Sequence, residues 1–280
     1  MKKSLYTFIF AFVMLVACNG RKTADTVDTT GNNPIEVSDS IEQGITSEDI
    51  TIYGITDREG EQSADLFRGY DDSLLDSLLA DGQTGFRSAF NVFLAVNDSR
   101  TVLFDAGIGS QGGGVMLEKL HGLGIEPEKV DDICLTHLHF DHIGGLLNDG
   151  LAVFPRATIH LSQPEFEAYA GDERWQQVLK AYEGRVETFA DNAVLFDGMV
   201  QTLPAYGHTP GHTVYRVDNC LMVGDLLHAQ DLQLQHPNFC ARYDANPDKA
   251  VEVRKNIYNY ISAKGLVLCG AHCYDHFIKL

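Results

Sequence analysis

From Ile50 onward, short runs of β-branched and aromatic residues recur along the chain, separated by polar or glycine-bearing turns. Ile50–Ile55 (I-T-I-Y-G-I), Ala89–Val96 (A-F-N-V-F-L-A-V) and Thr101–Phe104 (T-V-L-F) predict strands. Asn97-Asp98-Ser99, between the last two, predicts an antiparallel hairpin. Ile133–Leu135, Ala157–Leu161, Val194–Phe196, Val200–Leu203, Val214–Val217, Leu221–Val223 and Leu266–Leu268 predict further strands. Helical spacing predicts helices over Val115–Leu123, Pro164–Ala170, Arg174–Tyr182 and Pro247–Ala263, the last opened by a first-turn proline. Gly112-Gly113-Gly114 reads as a hinge-like run bordering a cleft. Strands and helices mixed in this way predict an α/β fold with helices layered over sheet.

The first residues follow a different pattern. Met1-Lys2-Lys3 and the apolar run Leu5–Ala17 predict a secretory signal segment, too short for a comfortable membrane span. Leu15-Val16-Ala17-Cys18 resembles the bacterial lipobox, which implies a lipidated Cys18 and an exported lipoprotein of the bacterial cell envelope, periplasmic or surface-facing. Residues 19–49, rich in Thr, Asp, Ser and Asn, bury too little apolar surface to offset their ordering entropy and read as a flexible polar stalk. Residues 50–280 then form one domain.

Composition narrows the partners. With 280 residues and 44% apolar content, the chain has enough material for a real core. Its 39 acidic against 21 basic side chains give a net charge of −18. Binding to a phosphate backbone needs clustered Lys and Arg, so nucleic acid is disfavoured and a small-molecule substrate is expected.

The chemistry concentrates in T-H-L-H-F-D-H, Thr136–His142, which follows the strand at Ile133–Leu135. Loops at the C-terminal ends of strands carry function. In an extended segment His137 and His139 point the same way, so both imidazoles reach one ion. Asp141 and His142 lie after the chain turns and aim at a neighbouring point, while Gly144-Gly145 lets a helix begin close to the sheet. Four ligands from one loop cannot close two metal positions. Three more appear at later strand ends: His208 in G-H-T-P-G-H, Asp225 in V-G-D and His272 in C-G-A-H.

This order of motifs, H-x-H-x-D-H, G-H-T-P-G-H, G-D and G-x-H, resembles the metallo-β-lactamase superfamily of dinuclear hydrolases over nearly the whole folded domain. The resemblance implies a four-layer αβ/βα sandwich. It also implies that His137, His139 and His208 bind one metal, Asp141, His142 and His272 bind the other, and Asp225 bridges them. His212 then reads as a hydrogen-bonded supporting residue. Imidazole and carboxylate ligands suit Zn²⁺, Mn²⁺, Co²⁺ or Fe²⁺, with zinc favoured. Two such ions about 3.5–4 Å apart share a water and lower its pKa toward about 7, which makes a bridging hydroxide the expected nucleophile. Asp141 is placed to orient it.

Asp231–Ala250 and Arg254 resemble the corresponding region of methyl parathion hydrolase-type enzymes and their acyl-homoserine lactone lactonase relatives. Such lactonases carry a substrate-contacting Tyr three residues after the bridging Asp, where this chain has His228. His228 reads either as a hydrogen-bond donor or general acid, or as a packed histidine. The expected activity is hydrolysis of a small ester, lactone or organophosphate. The alternatives are single-iron oxidation, as in the superfamily's sulfur dioxygenases, and a non-catalytic envelope-anchored metal-binding protein. Of the cysteines beyond Cys18, Cys134, Cys220 and Cys269 lie in apolar runs and read as core residues.

Overall fold

The computed structural model describes residues 36–37, 44–47 and 49–280; the signal segment, Cys18 and most of the predicted stalk lie outside the described residues. The first sheet contains β1 (Glu36–Val37), β2 (Gly44–Thr46), β3 (Thr51–Ser63), β4 (Gly85–Val96), β5 (Thr101–Phe104) and β6 (Asp132–Cys134). After a small hairpin, β7 (Leu147–Asn148) and β8 (Leu151–Ala152), the sheet is completed by β9 (Thr158–Ser162) and β10 (Val186–Phe189). The second sheet runs β11 (Val194–Leu195), β12 (Val200–Pro204), β13 (Thr213–Val217), β14 (Cys220–Gly224), β15 (Val267–Gly270) and β16 (Ile278–Lys279) in spatial order. Both sheets are mixed: β5, β6, β9 and β10 are parallel, as are β14 and β15. The helices are α1 (Asp72–Leu78), α2 (Met116–Gly122), α3 (Phe140–Ile143), α4 (Gln163–Ala168), α5 (Glu173–Ala181), α6 (Gln230–Gln233) and α7 (Pro247–Lys264).

Strand alternation explains the layering. On β4, Phe93 and Ala95 face the second sheet and pack with Tyr215, Val217, Met222 and Cys269. Val92 and Leu94 face the other way, against Met116 and Leu120 of α2. A strand buried on both faces reads as a continuous apolar run, as Ala89–Val96 does. On the far side of the second sheet, Val253, Ile257 and Ile261 recur every four residues along α7 and pack on Leu221, Val223 and Leu268. Each fully buried aliphatic side chain contributes about 1.5–3 kcal/mol there. Asn246 caps α7 by accepting from the Lys249 N–H at 3.1 Å. Gly265, at φ 62°, ends the helix in the left-handed conformation that glycine adopts without strain. Helix, sheet, sheet and helix thus form the four-layer αβ/βα sandwich.

The hairpin at Asn97-Asp98-Ser99 is present, its turn held by Asn97 Oδ1 accepting from the Ser99 and Arg100 N–H groups. Three features depart from the sequence pattern. Strand β3 continues past Ile55 to Ser63, because its polar half pairs with Gly85–Phe90. The sheet also takes in Gly44–Thr46, assigned by composition to the stalk, with Ile45 only 4% exposed. Finally, the helix predicted after Gly144-Gly145 lies before it, as α3. The glycines instead permit close approach, since a Cβ on Gly145 would sit 2.1 Å from the Ala106 carbonyl oxygen.

Candidate metal centre

All seven residues predicted as ligands converge at the C-terminal ends of strands. Thr136–His142 leaves β6, with Asp141 and His142 on α3; His208 follows β12, Asp225 follows β14 and His272 follows β15. They form two groups, His137, His139, His208 and Asp225, and Asp141, His142, Asp225 and His272, whose donor atoms lie within 4.8 Å of one another in each. Asp225 belongs to both. Its Oδ2 is 3.2 Å from His208 Nε2 and 3.7 Å from His137 Nε2, while its Oδ1 is 2.9 Å from His142 Nε2 and 3.1 Å from His272 Nε2. One oxygen therefore serves each group.

The far ring nitrogens are held by partners that fix each imidazole. His142 Nδ1 lies 2.8 Å from Asp105 Oδ2, His208 Nδ1 lies 2.9 Å from Asp244 Oδ1, and His272 Nδ1 donates to the Ala89 carbonyl at 2.9 Å. Each arrangement turns Nε2 inward, toward Asp225. Asp105 also accepts from the Thr136 N–H and hydroxyl, and it does so at φ 60°, a left-handed conformation that costs about 1 kcal/mol or more. Asp244 is delivered by a segment that the fully buried Arg254 holds, through bonds to the Pro237 and Phe239 carbonyls at 2.8 and 2.7 Å. Glu165, 1% exposed, joins the two ligand loops: it accepts from the Leu138 N–H at 3.0 Å, the Thr209 hydroxyl at 2.7 Å and the Gly211 N–H at 2.9 Å. His212 accepts from the Asp225 N–H at 3.1 Å through Nε2 and is not among the two groups, in keeping with a supporting role.

Asp105, Asp244, Glu165 and Arg254 were not singled out for these roles from sequence. Asp105 alone carried a readable signal, a carboxylate directly after the strand T-V-L-F. The others act across long sequence separations.

Charge in the cluster is divided. Burial and the neighbouring His142 push His137 down, and burial holds His139 at about 4, so both are neutral imidazoles as ligation requires. Burial also opposes charge on His142, His208 and His272, but Asp225 outweighs it, helped by Asp105, Asp244 and Asp141 respectively. His208 rises to about 9 and His272 to about 10. The carboxylates therefore draw positive charge into a buried site.

Several buried atoms here lack any hydrogen bond: His137 Nε2, His142 Nε2 and Asp225 Oδ1. Native structures rarely leave such atoms unpaired without a functional reason. Buried donor atoms left unpaired within two converging sets of imidazoles and carboxylates fit divalent transition cations. The donor types do not choose among zinc, manganese, cobalt and iron.

A cavity of about 390 Å³ opens onto the cluster, lined by Arg58, Gln62, Phe90, Asp141, Tyr243 and His228 among others. A slightly larger one, about 420 Å³, near Phe67, Tyr70 and Arg242 contains none of the seven residues. His228 is buried against the cluster, its ring stacked on His272 at 5.3 Å and its Nε2 3.1 Å from Asp225 Oδ2. Neither of its ring nitrogens makes a hydrogen bond. The remaining histidines are ordinary: His121 pairs with Glu126 at 2.7 Å, His160 with Asp132 at 2.7 Å and His276 with Thr56 at 2.8 Å, and His236 packs edge-on against Phe239 at 6.4 Å. Cys134, Cys220, Cys269 and Cys273 are buried free thiols.

Comparison with known proteins identifies the fold. The family model described as the metallo-beta-lactamase superfamily matches residues 87–260. No curated protein matches the chain. Among solved structures, the hydrolase AbOPH of the beta-lactamase superfamily is 26% identical, with a TM-score of 0.78 over 85% of this chain and 92% of that one. The dizinc quorum-quenching lactonase AidC is 24% identical, with a TM-score of 0.74 and the same coverage of each chain. A probable metal-dependent hydrolase from Staphylococcus aureus is 19% identical, with a TM-score of 0.69 over 80% of this chain and 89% of that one.

Proposed function

Because the chain belongs to the metallo-beta-lactamase superfamily and is a metal-dependent hydrolase, we propose that it cleaves a small ester, lactone or organophosphate at a site holding two divalent ions, zinc by preference. The observation that carries this reading is Asp225, whose two oxygens face two separate groups of imidazole and carboxylate donors. His137, His139 and His208 would hold one ion, Asp141, His142 and His272 the other, and Asp225 both. Bound there, divalent ions supply Lewis acidity and a nucleophile drawn from water at neutral pH.

The chain's own groups do the rest. Asp141, whose side chain is 23% exposed at the cavity, offers a carboxylate oxygen to orient the attacking water and accept its hydrogen bond. His228 presents an unpartnered ring N–H to the oxygen that gains charge or leaves. Phe90 and Tyr243 wall the cavity and exclude bulk water from the reacting bond. The likeness to AbOPH, a hydrolase, supports hydrolysis as the reaction class.

The test is elemental analysis of the purified protein with a panel of lactones, aryl esters and phosphotriesters. Two zinc or manganese ions per chain and turnover of one ester class support the proposal. One iron per chain with oxidation of a thiol substrate transfers it to the dioxygenase reading, and absence of any bound transition ion refutes it. We further propose that the domain works at the bacterial envelope, held by a lipid on Cys18.

A further inference from the structure

We propose that Arg58 forms a carboxylate-binding subsite in the cavity beside the metal cluster, so that the preferred substrates are esters or lactones bearing a carboxylate remote from the scissile carbonyl. This rests on the hydrolase reading above.

The placement begins with a β-bulge. The register of β3 against β4 shifts between Thr56 and Arg58. Bulges re-aim side chains near active sites. Asp57, at the break, is fully buried and its carboxylate accepts from the Ile108 and Met116 N–H groups at 2.8 and 2.7 Å. Arg58, Gly60 and Gln62, on the shifted register, line the cavity.

Two contacts orient the exposed guanidinium. Arg58 Nη1 donates to the Gly112 carbonyl at 2.9 Å, in the tri-glycine run, and its Cζ lies 4.6 Å over the Phe90 ring. Phe90 in turn meets His272 edge-on at 5.3 Å. Arg58 is therefore within about 10 Å of a metal-cluster imidazole. Holding the side chain in advance removes much of the entropy cost of binding, and most of its N–H donors stay available for a bidentate carboxylate.

Charge gives the second argument. The chain carries 39 acidic side chains against 21 basic ones. Arg68 pairs with Asp76, Arg87 with Glu59 and Arg100 with Asp132. Among the described residues no carboxylate pairs with Arg58. Of the three carboxylates that line the cavity, Asp141 and Asp225 belong to the metal cluster and Glu61 accepts from the Thr84 hydroxyl at 3.4 Å. A cation on the wall of the reaction cavity, with no carboxylate partner among the described residues, is placed to meet an anionic group on the ligand. With carbon–carbon bonds of ~1.5 Å, an acyl chain of about six carbons has the right order of length to join the two points.

The experiment compares the 4-nitrophenyl monoester of adipic acid with 4-nitrophenyl hexanoate, using the metal-loaded protein. The expected ratio of kcat/KM, adipate over hexanoate, is about tenfold, falls toward unity in Arg58→Met and stays intermediate in Arg58→Lys. Arg58→Met keeps the aliphatic stem over Phe90, so the protein should fold, and metal content checks this. Added salt should lower the wild-type ratio and leave that of Arg58→Met unchanged. If Arg58→Met slows both esters equally, or the wild type cleaves hexanoate without preferring adipate, the subsite is overturned while the hydrolase reading stands. If metal-loaded protein cleaves neither ester nor any member of the wider panel, the hydrolase reading fails and the subsite with it.

Discussion

Replacing Glu165 with Gln tests whether the two ligand loops form one unit. The carboxylate accepts from Leu138 on one oxygen and from Thr209 and Gly211 on the other, and it is 1% exposed. An amide keeps only one acceptor oxygen. If that oxygen stays with Thr209 and Gly211, the Leu138 N–H faces an NH₂ group and is left unsatisfied, at about 1–3 kcal/mol. The two surviving bonds also lose their charge assistance, which brings the total to about 3 kcal/mol. Leu138 sits between His137 and His139, and Thr209 follows His208, so the cost falls on the geometry of that group. Competition with a chromophoric chelator should show metal affinity reduced about 10–100-fold, the range found for partners that orient ligands. Chemical denaturation should report the stability change in parallel. Wild-type affinity in Glu165→Gln, with unchanged stability, would refute the idea that this carboxylate holds the loops in place.

The remaining predictions concern the centre, the C-terminal segment and the N-terminus. Asp225→Ala removes the one oxygen offered to each group, so turnover should fall below detection and metal content should drop; full activity would count against the shared-ligand role. Burial holds the His276 imidazole at about 4, below its ordinary value of 6.5, where it fills the space above Gly54 and bonds Thr56. The folded-state pKa is depressed, so this contribution is fully present above pH 6.5 and is lost as pH falls toward 4, at most about 3 kcal/mol. His276→Gln should flatten that part of the urea-unfolding profile, and an identical acid dependence would contradict it. Cys18→Ser should move the protein from the membrane to the soluble fraction of producing cells, and unchanged fractionation would remove the lipid anchor.

What could be read from the sequence follows the range of the interactions involved. Thr101–Phe104 and α7 were visible because their patterns are local: a short β-branched and aromatic run after a turn, and helical spacing opened by a first-turn proline. Strand β10 was missed because its Val186-Glu187-Thr188-Phe189 is largely exposed and short. The polar end of β3 owes its extension to pairing with β4, which no local propensity dictates. In the site, H-x-H-x-D-H displays its chemistry within one loop. By contrast, Glu165 reaches Thr209 and Gly211 over more than 40 residues, and Arg254 acts on carbonyls of a neighbouring segment rather than through any motif of its own.

The same long-range bonds explain why neither half of the sandwich holds the site alone. His137, His139, Asp141 and His142 come from a loop of the first sheet, and His208, Asp225 and His272 from ends of the second. The polar contacts around them cross the same divide. The Ala89 carbonyl on β4 orients His272, the Ser88 hydroxyl donates to the His272 carbonyl at 3.1 Å, and Asn91 donates to the Gly270 carbonyl at 3.1 Å. Glu165, entering from α4, binds the loop before β13. Inside a buried site, an unmet hydrogen bond costs more than a made one contributes, so these contacts penalise any register of sheet on sheet that fails to satisfy them all. The apolar interior between the sheets supplies most of the stability without choosing among close alternatives. Thus the polar contacts that select the sheet register also bring the two sets of ligands together, and the strain at Asp105 is tolerated because that register holds it there.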